Sequence, residues 1–278
     1  MDNTSCSTSA FTDRSLEAAL DALAQAGFPQ AEIKGYDPHV GAPSEREISR
    51  IRAILEAHSV RGRTMHAPHG RIILAAMDDD WRNESVAVLK KYVRLAGALA
   101  LTELVIHPVG RPDMMTDAID PALPQSMREA LQRSLDDLMP TIEESAVRIT
   151  LENLPYPTSP LNSMRELRTV VDLYPSEAVG LVIDTGHVGV LELDPIDELQ
   201  AAGERLCGTH IHDISVHEGR IDHHSPTLGN LDWAAMRQAF TEIDYTGPWT
   251  SEVTKPSHGE RPEDLAREVH DWMEAWLQ

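Results

Sequence analysis

Eight short apolar runs alternate along the chain with amphipathic stretches of helical length, the order expected when helices cover a parallel sheet. The runs predict strands over residues 4–10, 31–34, 64–67, 103–107, 147–152, 179–184, 206–212 and 249–253. Helices are predicted between and after them, over residues 15–26, 45–57, 83–100, 124–146, 163–173, 194–202, 231–243 and 262–276. The 278 residues suit one α/β barrel, and no linker, low-complexity tract or charge block marks a second domain. The expected fold is therefore an α/β (β/α)8 TIM barrel forming a single domain over residues 1–278, although an open doubly wound sheet shares the alternation. The longest non-helical connections, 107–123 and 213–229, both follow strands and so fall on the face where barrel enzymes carry their active sites.

Six of the apolar runs end in an ionisable residue, as in Met65-His66-Ala67-Pro68, Val105-Ile106-His107-Pro108 and Leu151-Glu152-Asn153. The others are Ile183-Asp184-Thr185-Gly186-His187, His210-Ile211-His212-Asp213 and Ser251-Glu252-Val253. A buried carboxylate or imidazole has to be paired or metal-bound to offset its desolvation. One such strand end is usually a hydrogen-bonded structural residue; six at equivalent positions converge on one barrel axis. Imidazole and carboxylate without thiolate suit zinc, manganese, iron or cobalt. Cys6 and Cys207 lie far apart in predicted strands, without CxxC spacing, and are expected to be buried thiols.

These motifs resemble the xylose isomerase-like TIM-barrel superfamily, which joins sugar isomerases and epimerases to bacterial apurinic-site endonucleases. The resemblance runs from about Ser5 to Glu252, through HAP at His66–Pro68, LVIHP at Leu104–Pro108, LEN at Leu151–Asn153, DTGH at Asp184–His187 and HIHD at His210–Asp213. It implies a four-ligand core of Glu152, Asp184, His210 and Glu252, with the two glutamates as an acid/base pair. The trinuclear branch implies further ligands at His66, His107, His187, Asp222 and His224, so one to three divalent ions are expected, zinc or manganese foremost. The loop from Asp222 to Gly229 leaves His223 and His224 as alternatives, and His224 is preferred because it keeps a DxH spacing. Arg220, His212, His69 and Asn153 are candidate substrate contacts, although a loop arginine is more often solvated or salt-bridged and a core hydrogen bond would explain His212 equally well. Asp78-Asp79-Asp80 is read as a helix-capping turn.

A formal charge of −21 repels a phosphate backbone, and the arginines Arg71, Arg111 and Arg220 are scattered, so nucleic acid is disfavoured as a partner. The expected substrate is a small carbohydrate-type molecule. No window is long and apolar enough to span a membrane, the N-terminus lacks the features of a secretion signal, and a cytoplasmic enzyme is expected, with self-association into a homo-oligomer left open. Two chemistries compete. One is isomerisation or epimerisation of a sugar, sugar phosphate or polyol through an enediolate; the other is phosphoester hydrolysis by a multinuclear centre. A non-catalytic metal-binding scaffold is the third class.

Overall fold

The computed structural model describes residues 3–110, 120, 122–217, 219–256 and 260–278. Arg111 and most of the 107–123 connection lie outside the described residues. Ten strands follow in chain order: β1 (Thr4–Ser7), β2 (Gln30–Lys34), β3 (Arg61–His66), β4 (Glu103–Ile106), β5 (Arg148–Glu152), β6 (Val179–Asp184), β7 (Leu206–Ile211), β8 (Asp213–Ser215), β9 (Ile221–His224) and β10 (Trp249–Ser251). All but β8 and β9 are parallel neighbours in one closed barrel, in which β1 joins β2 on one side and β10 on the other. Closure rules out the open doubly wound sheet, since neither β1 nor β10 is left as an edge.

Helices α1 (Leu16–Ala26), α2 (Glu45–Ala57), α3 (Asp79–Ala98), α4 (Pro124–Ser145), α5 (Met164–Val171), α6 (Thr185–Val190), α7 (Pro195–Ala202), α8 (Trp233–Glu242) and α9 (Pro262–Leu277) lie between or after the strands. Their ends follow local chemistry. Ser15, Ser44 and Ser163 accept backbone N–H groups at the starts of α1, α2 and α5, and Gly27 stops α1 in the left-handed conformation, with φ +107°. Asp78 caps α3 by accepting the Trp81 N–H at 2.8 Å, as the acidic turn predicted, so that helix starts at Asp79 rather than at 83.

Period-two alternation sorts the strand residues. Ile149 and Leu151 of β5, Leu181 and Ile183 of β6, and Leu104 and Ile106 of β4 are buried in the apolar core that also holds Leu89, Leu135, Leu167 and Met236 of the helices. The intervening positions are polar where they meet inside: Thr64 Oγ1 donates to Glu32 Oε2 at 3.0 Å, and Glu32 in turn meets His210.

Further details differ from the sequence expectation. The first predicted strand stops at Ser7, whose hydroxyl accepts the Ser9 N–H at 3.3 Å and turns the chain into a 3-10 turn, Thr8–Phe11. Strands β4 and β7 stop one residue early and β10 two, which places His107, His212 and Glu252 on the first residue of each loop. The 213–229 connection contains an antiparallel hairpin, β8–β9, anchored where Trp233 Nε1 donates to Asp213 Oδ2 at 3.0 Å and Asn230 Nδ2 donates to the Ile214 carbonyl at 2.7 Å. Cys6 is buried, but Cys207 is only half-buried, its thiol donating to the Arg205 carbonyl. Among the described residues no helix is long and apolar enough to cross a membrane.

Candidate metal centre and substrate cavity

Four strand ends bring Glu152, Asp184, His210 and Glu252 together, with one ligand atom from each inside a 4.8 Å span. His210 Nδ1 stands 3.2 Å from Glu152 Oε1, 3.1 Å from Glu252 Oε2 and 3.9 Å from Asp184 Oδ2. Its other nitrogen, Nε2, faces the Glu32 carboxylate at 3.2 Å. A neutral His210 that donates Nε2–H to Glu32 therefore turns the Nδ1 lone pair towards carboxylate oxygens, and neither Nδ1 nor Glu152 Oε1 has a hydrogen-bond partner although both are buried. Ligand atoms about 2.1 Å from one ion stand roughly 3.0–3.4 Å apart in octahedral or tetrahedral geometry, and His210 Nδ1 already stands at that spacing from one oxygen of Glu152 and one of Glu252. The fit is to a zinc- or manganese-type cation, since the donors are imidazole and carboxylate.

Without an ion, protons carry the positive charge. Burial opposes protonation of His210, but the carboxylates of Glu252, Glu32 and Glu152 outweigh it and hold the imidazolium well above its usual pKa. Burial likewise disfavours ionised Glu152 and Glu252, yet the His210 charge keeps both below the usual carboxylate range. Burial pushes Asp184 up to about 7, with His187 opposing and Glu152 and Glu252 adding to the rise.

Two further groups flank this core. His66 Nε2 and His107 Nε2 each lie 3.2 Å from Glu152 Oε2, so Glu152 faces the core with one oxygen and two imidazoles with the other. His66 Nδ1–H donates to the Ala67 carbonyl at 2.7 Å, which leaves Nε2 directed inward. On the other flank His187 Nδ1–H donates to the Asn153 carbonyl at 2.8 Å, and its Nε2 lies 3.5 Å from Asp222 Oδ2.

The DTGH segment explains how β6 supplies two of these side chains. Asp184 Oδ1 accepts the His187 N–H at 2.7 Å and caps α6, a helix absent from the sequence expectation, while Asp184 Oδ2 remains on the metal side. Thr185 Oγ1 donates to the His212 carbonyl at 2.7 Å, tying the end of β6 to the end of β7. A side chain at Gly186 would collide with the His212 imidazole, so a residue without Cβ is required there.

Several candidate contacts are placed elsewhere. Asn153 is fully buried and bridges to β6, Nδ2 donating to the Asp184 carbonyl at 3.0 Å and Oδ1 accepting the Asp184 N–H at 2.7 Å; both ends are used, so it does not reach substrate. His212 is also fully buried. Its Nδ1 accepts the His223 N–H at 2.9 Å, so Nε2 carries the proton and donates to Asp184 Oδ2 at 2.8 Å, and it positions that carboxylate rather than a ligand. Arg220 turns away to Glu192, 2.7 Å distant, and to the Gly189 carbonyl.

The preference for His224 is likewise corrected to His223. A left-handed residue at His223, with φ +62°, breaks the alternation of β9, so the adjacent Asp222 and His223 both line the cavity. His223 Nδ1 meets the Glu252 carbonyl oxygen at 2.9 Å, whereas the His224 ring is buried outside the cavity lining.

The cavity above the core holds about 200 Å³ and is lined by His66, His69, His107, His187, Asp222, His223 and the two glutamates. Ser7, Ser9, Lys34 and Tyr36 line it as well, and the sequence reading missed all four, together with Glu32, which meets His210. The signal was present for two of them: Glu32 and Lys34 are charges spaced by two in one strand, where they alternate with Ala31 and Ile33. His69 does line the cavity, where its Nε2 meets the Tyr36 hydroxyl at 3.1 Å; burial, with the His107 and His66 charges, lowers its pKa to about 3.

The sequence profile of the xylose isomerase-like TIM barrel family matches residues 20–276. The chain belongs to that family. An uncharacterised protein of Sinorhizobium fredii is 27% identical over 263 residues, covering 87% of this chain and 82% of its own. L-ribulose 3-epimerase of Methylomonas is 24% identical over 280 residues, covering 93% of this chain and 84% of its own. A solved structure, the IOLI protein with a bound zinc atom, superposes with a TM-score of 0.81 at 18% identity, covering 99% of this chain and 98% of that one.

Proposed function

We propose that the protein is a divalent-metal-dependent isomerase or epimerase of a small sugar, acting through proton transfer at carbon by Glu152 and Glu252. The observation that carries this reading is the approach of both carboxylates to one atom, His210 Nδ1, from β5 and from the loop after β10. A bound divalent ion would supply a Lewis acid for neighbouring carbonyl and hydroxyl oxygens, stabilising the negative charge of an enediolate. Glu152, Asp184, His210 and Glu252 hold it in this reading, and Glu32 keeps His210 in the tautomer with Nδ1 free. In this reading one glutamate enters the step ionised and removes the carbon-bound proton, and the other enters it protonated and delivers its proton to the opposite face. The cavity lies below the roughly 300–1,000 Å³ of pockets for drug-sized ligands, which suits a monosaccharide-sized substrate within a single-domain barrel. An epimerase relative aligned over nearly the whole chain supports the same class, and the zinc-bound neighbour supports zinc.

A second reading, hydrolysis of a phosphoester by up to three ions, is favoured by His66 and His107 converging on the outer oxygen of Glu152 and by His187, His223 and Asp222 on the other flank. Nucleic acid remains the less favoured substrate for a chain of charge −21. The test incubates metal-loaded protein in deuterated water with a panel of ketoses and their phosphates, and separately with a model phosphodiester. Deuterium entering at the carbon beside the carbonyl, with a new epimer or isomer, is the expected result. Phosphodiester cleavage without carbon exchange would replace the first reading by the second.

A further inference from the structure

Lys34 closes β2 on the cavity wall, and only 7% of its surface is exposed. Its ammonium lies 4.0 Å from the centre of the Tyr36 ring, and among the described residues no carboxylate pairs with it. Other cations around the site are neutralised: Lys255 by Asp222 at 3.2 Å and Arg220 by Glu192 at 2.7 Å. Contact with the ring face steadies the charge of Lys34 but offers no acceptor to its three N–H donors. Burial lowers its pKa, the result expected when nothing offsets desolvation.

The adjoining β1 turn has the same deficit. The Lys34 backbone N–H donates to Thr8 Oγ1 at 2.9 Å, which holds the turn against the end of β2. Ser9 Oγ in that turn is buried without a hydrogen-bond partner. Ser7 Oγ accepts the Ser9 N–H, and its own proton remains to be donated. Ser7, Ser9 and Lys34 thus present donors and a positive charge to a cavity that Glu152, Asp222 and Glu252 also line. A neutral sugar would leave the lysine unpaired in the closed complex, whereas an oxyanion with several acceptor oxygens would satisfy the whole wall.

We propose that Lys34, with the hydroxyls of Ser7 and Ser9, binds a negatively charged group of the substrate, so that the sugar taken by this site is anionic: a carboxylate or a phosphate ester rather than a neutral ketose. The inference rests on the sugar-epimerase reading of the cavity and deepens it.

Three ketoses with the same reactive end test it: D-fructose, D-fructose 6-phosphate and D-fructuronate, which end in a hydroxymethyl group, a phosphate and a carboxylate. Calorimetric binding to metal-loaded wild-type protein is expected to rank one of the anionic sugars at least about ten-fold tighter than D-fructose, as a charge-assisted contact provides. The favoured one identifies phosphate or carboxylate. Lys34→Met should remove most of that advantage and leave D-fructose within about two-fold, and Lys34→Arg should restore much of it. The wild-type ranking needs no variant to fold. If neither anionic sugar outranks D-fructose, or Lys34→Met weakens all three alike, the proposal is wrong. Deuterium exchange on the same sugars separates the two readings: anion discrimination without exchange supports the lysine site and sinks the proton-transfer reading, while exchange confined to D-fructose does the reverse.

Discussion

Glu32 and His210, 178 positions apart in sequence, meet at the floor of the site with 3.2 Å between Oε1 and Nε2. The carboxylate fixes which imidazole nitrogen bears the proton, and hence which one can bind an ion. Glu32→Ala is expected to lower zinc affinity about 10- to 100-fold, the usual cost of losing a hydrogen-bond partner behind a metal-bound histidine. Glu32→Gln, which keeps an acceptor oxygen, should lose less. Competition with a chelating dye measures both, and unchanged affinity in the alanine variant would show that His210 needs no such support.

Glu152→Gln and Glu252→Gln should each reduce turnover by about 10²–10⁴-fold if they exchange the carbon-bound proton, while His107→Ala should be milder. Metal content determined beside the rates separates lost chemistry from lost metal. Under the hydrolytic reading the order inverts, with His107→Ala costing an ion and nearly all activity.

Gly186→Ala would drive a methyl group into the His212 ring that holds Asp184. Overpacking of this kind costs about 1–3 kcal/mol, and here the displaced ring also orients a metal carboxylate. The expected variant melts earlier and binds zinc more weakly than wild type. Normal affinity in a destabilised protein would mean that His212 can move without carrying Asp184 with it.

Glu103 begins β4 with its carboxyl buried and one oxygen without a partner. Burial pushes its pKa up to about 7, with Arg148 and Arg63 opposing. A group whose pKa is raised on folding binds more protons in the folded state, so its stabilising contribution is complete below about 4.5 and fades as the pH rises through about 7. The difference in unfolding free energy between wild type and Glu103→Gln should therefore shift against wild type by on the order of 3 kcal/mol over that window, at about 1.4 kcal/mol per pKa unit. Urea unfolding at pH 4.5, 6 and 8 measures it; parallel curves would place the carboxylate in contact with water or fully paired.

The barrel was legible because its outward strand residues are continuous aliphatic runs and its inward ones end in His, Glu or Asp, as in Ile149–Glu152 and Leu181–Asp184. The meeting of Glu152, Asp184, His210 and Glu252 was legible for the same reason. What escaped depends on tertiary partners. Glu32 looks like an ordinary strand charge until Thr64 and His210 are seen on it. Asn153 and His212 resemble substrate contacts because the sequence cannot show that Asp184 already occupies them. His223 and His224 differ only through one left-handed backbone angle, which no side-chain pattern announces.

That angle also divides the cavity into unequal halves. His223 is joined to the Glu252 carbonyl by its ring, and its own carbonyl accepts the Thr254 and Lys255 N–H groups at 3.0 Å. The β8–β9 hairpin and the segment carrying one glutamate therefore form a single mechanical unit, and any insertion in the hairpin would displace the chemistry. The wall of Ser7, Ser9 and Tyr36 carries no ligand of the core, so divergence to new substrates has freedom there that the hairpin side denies.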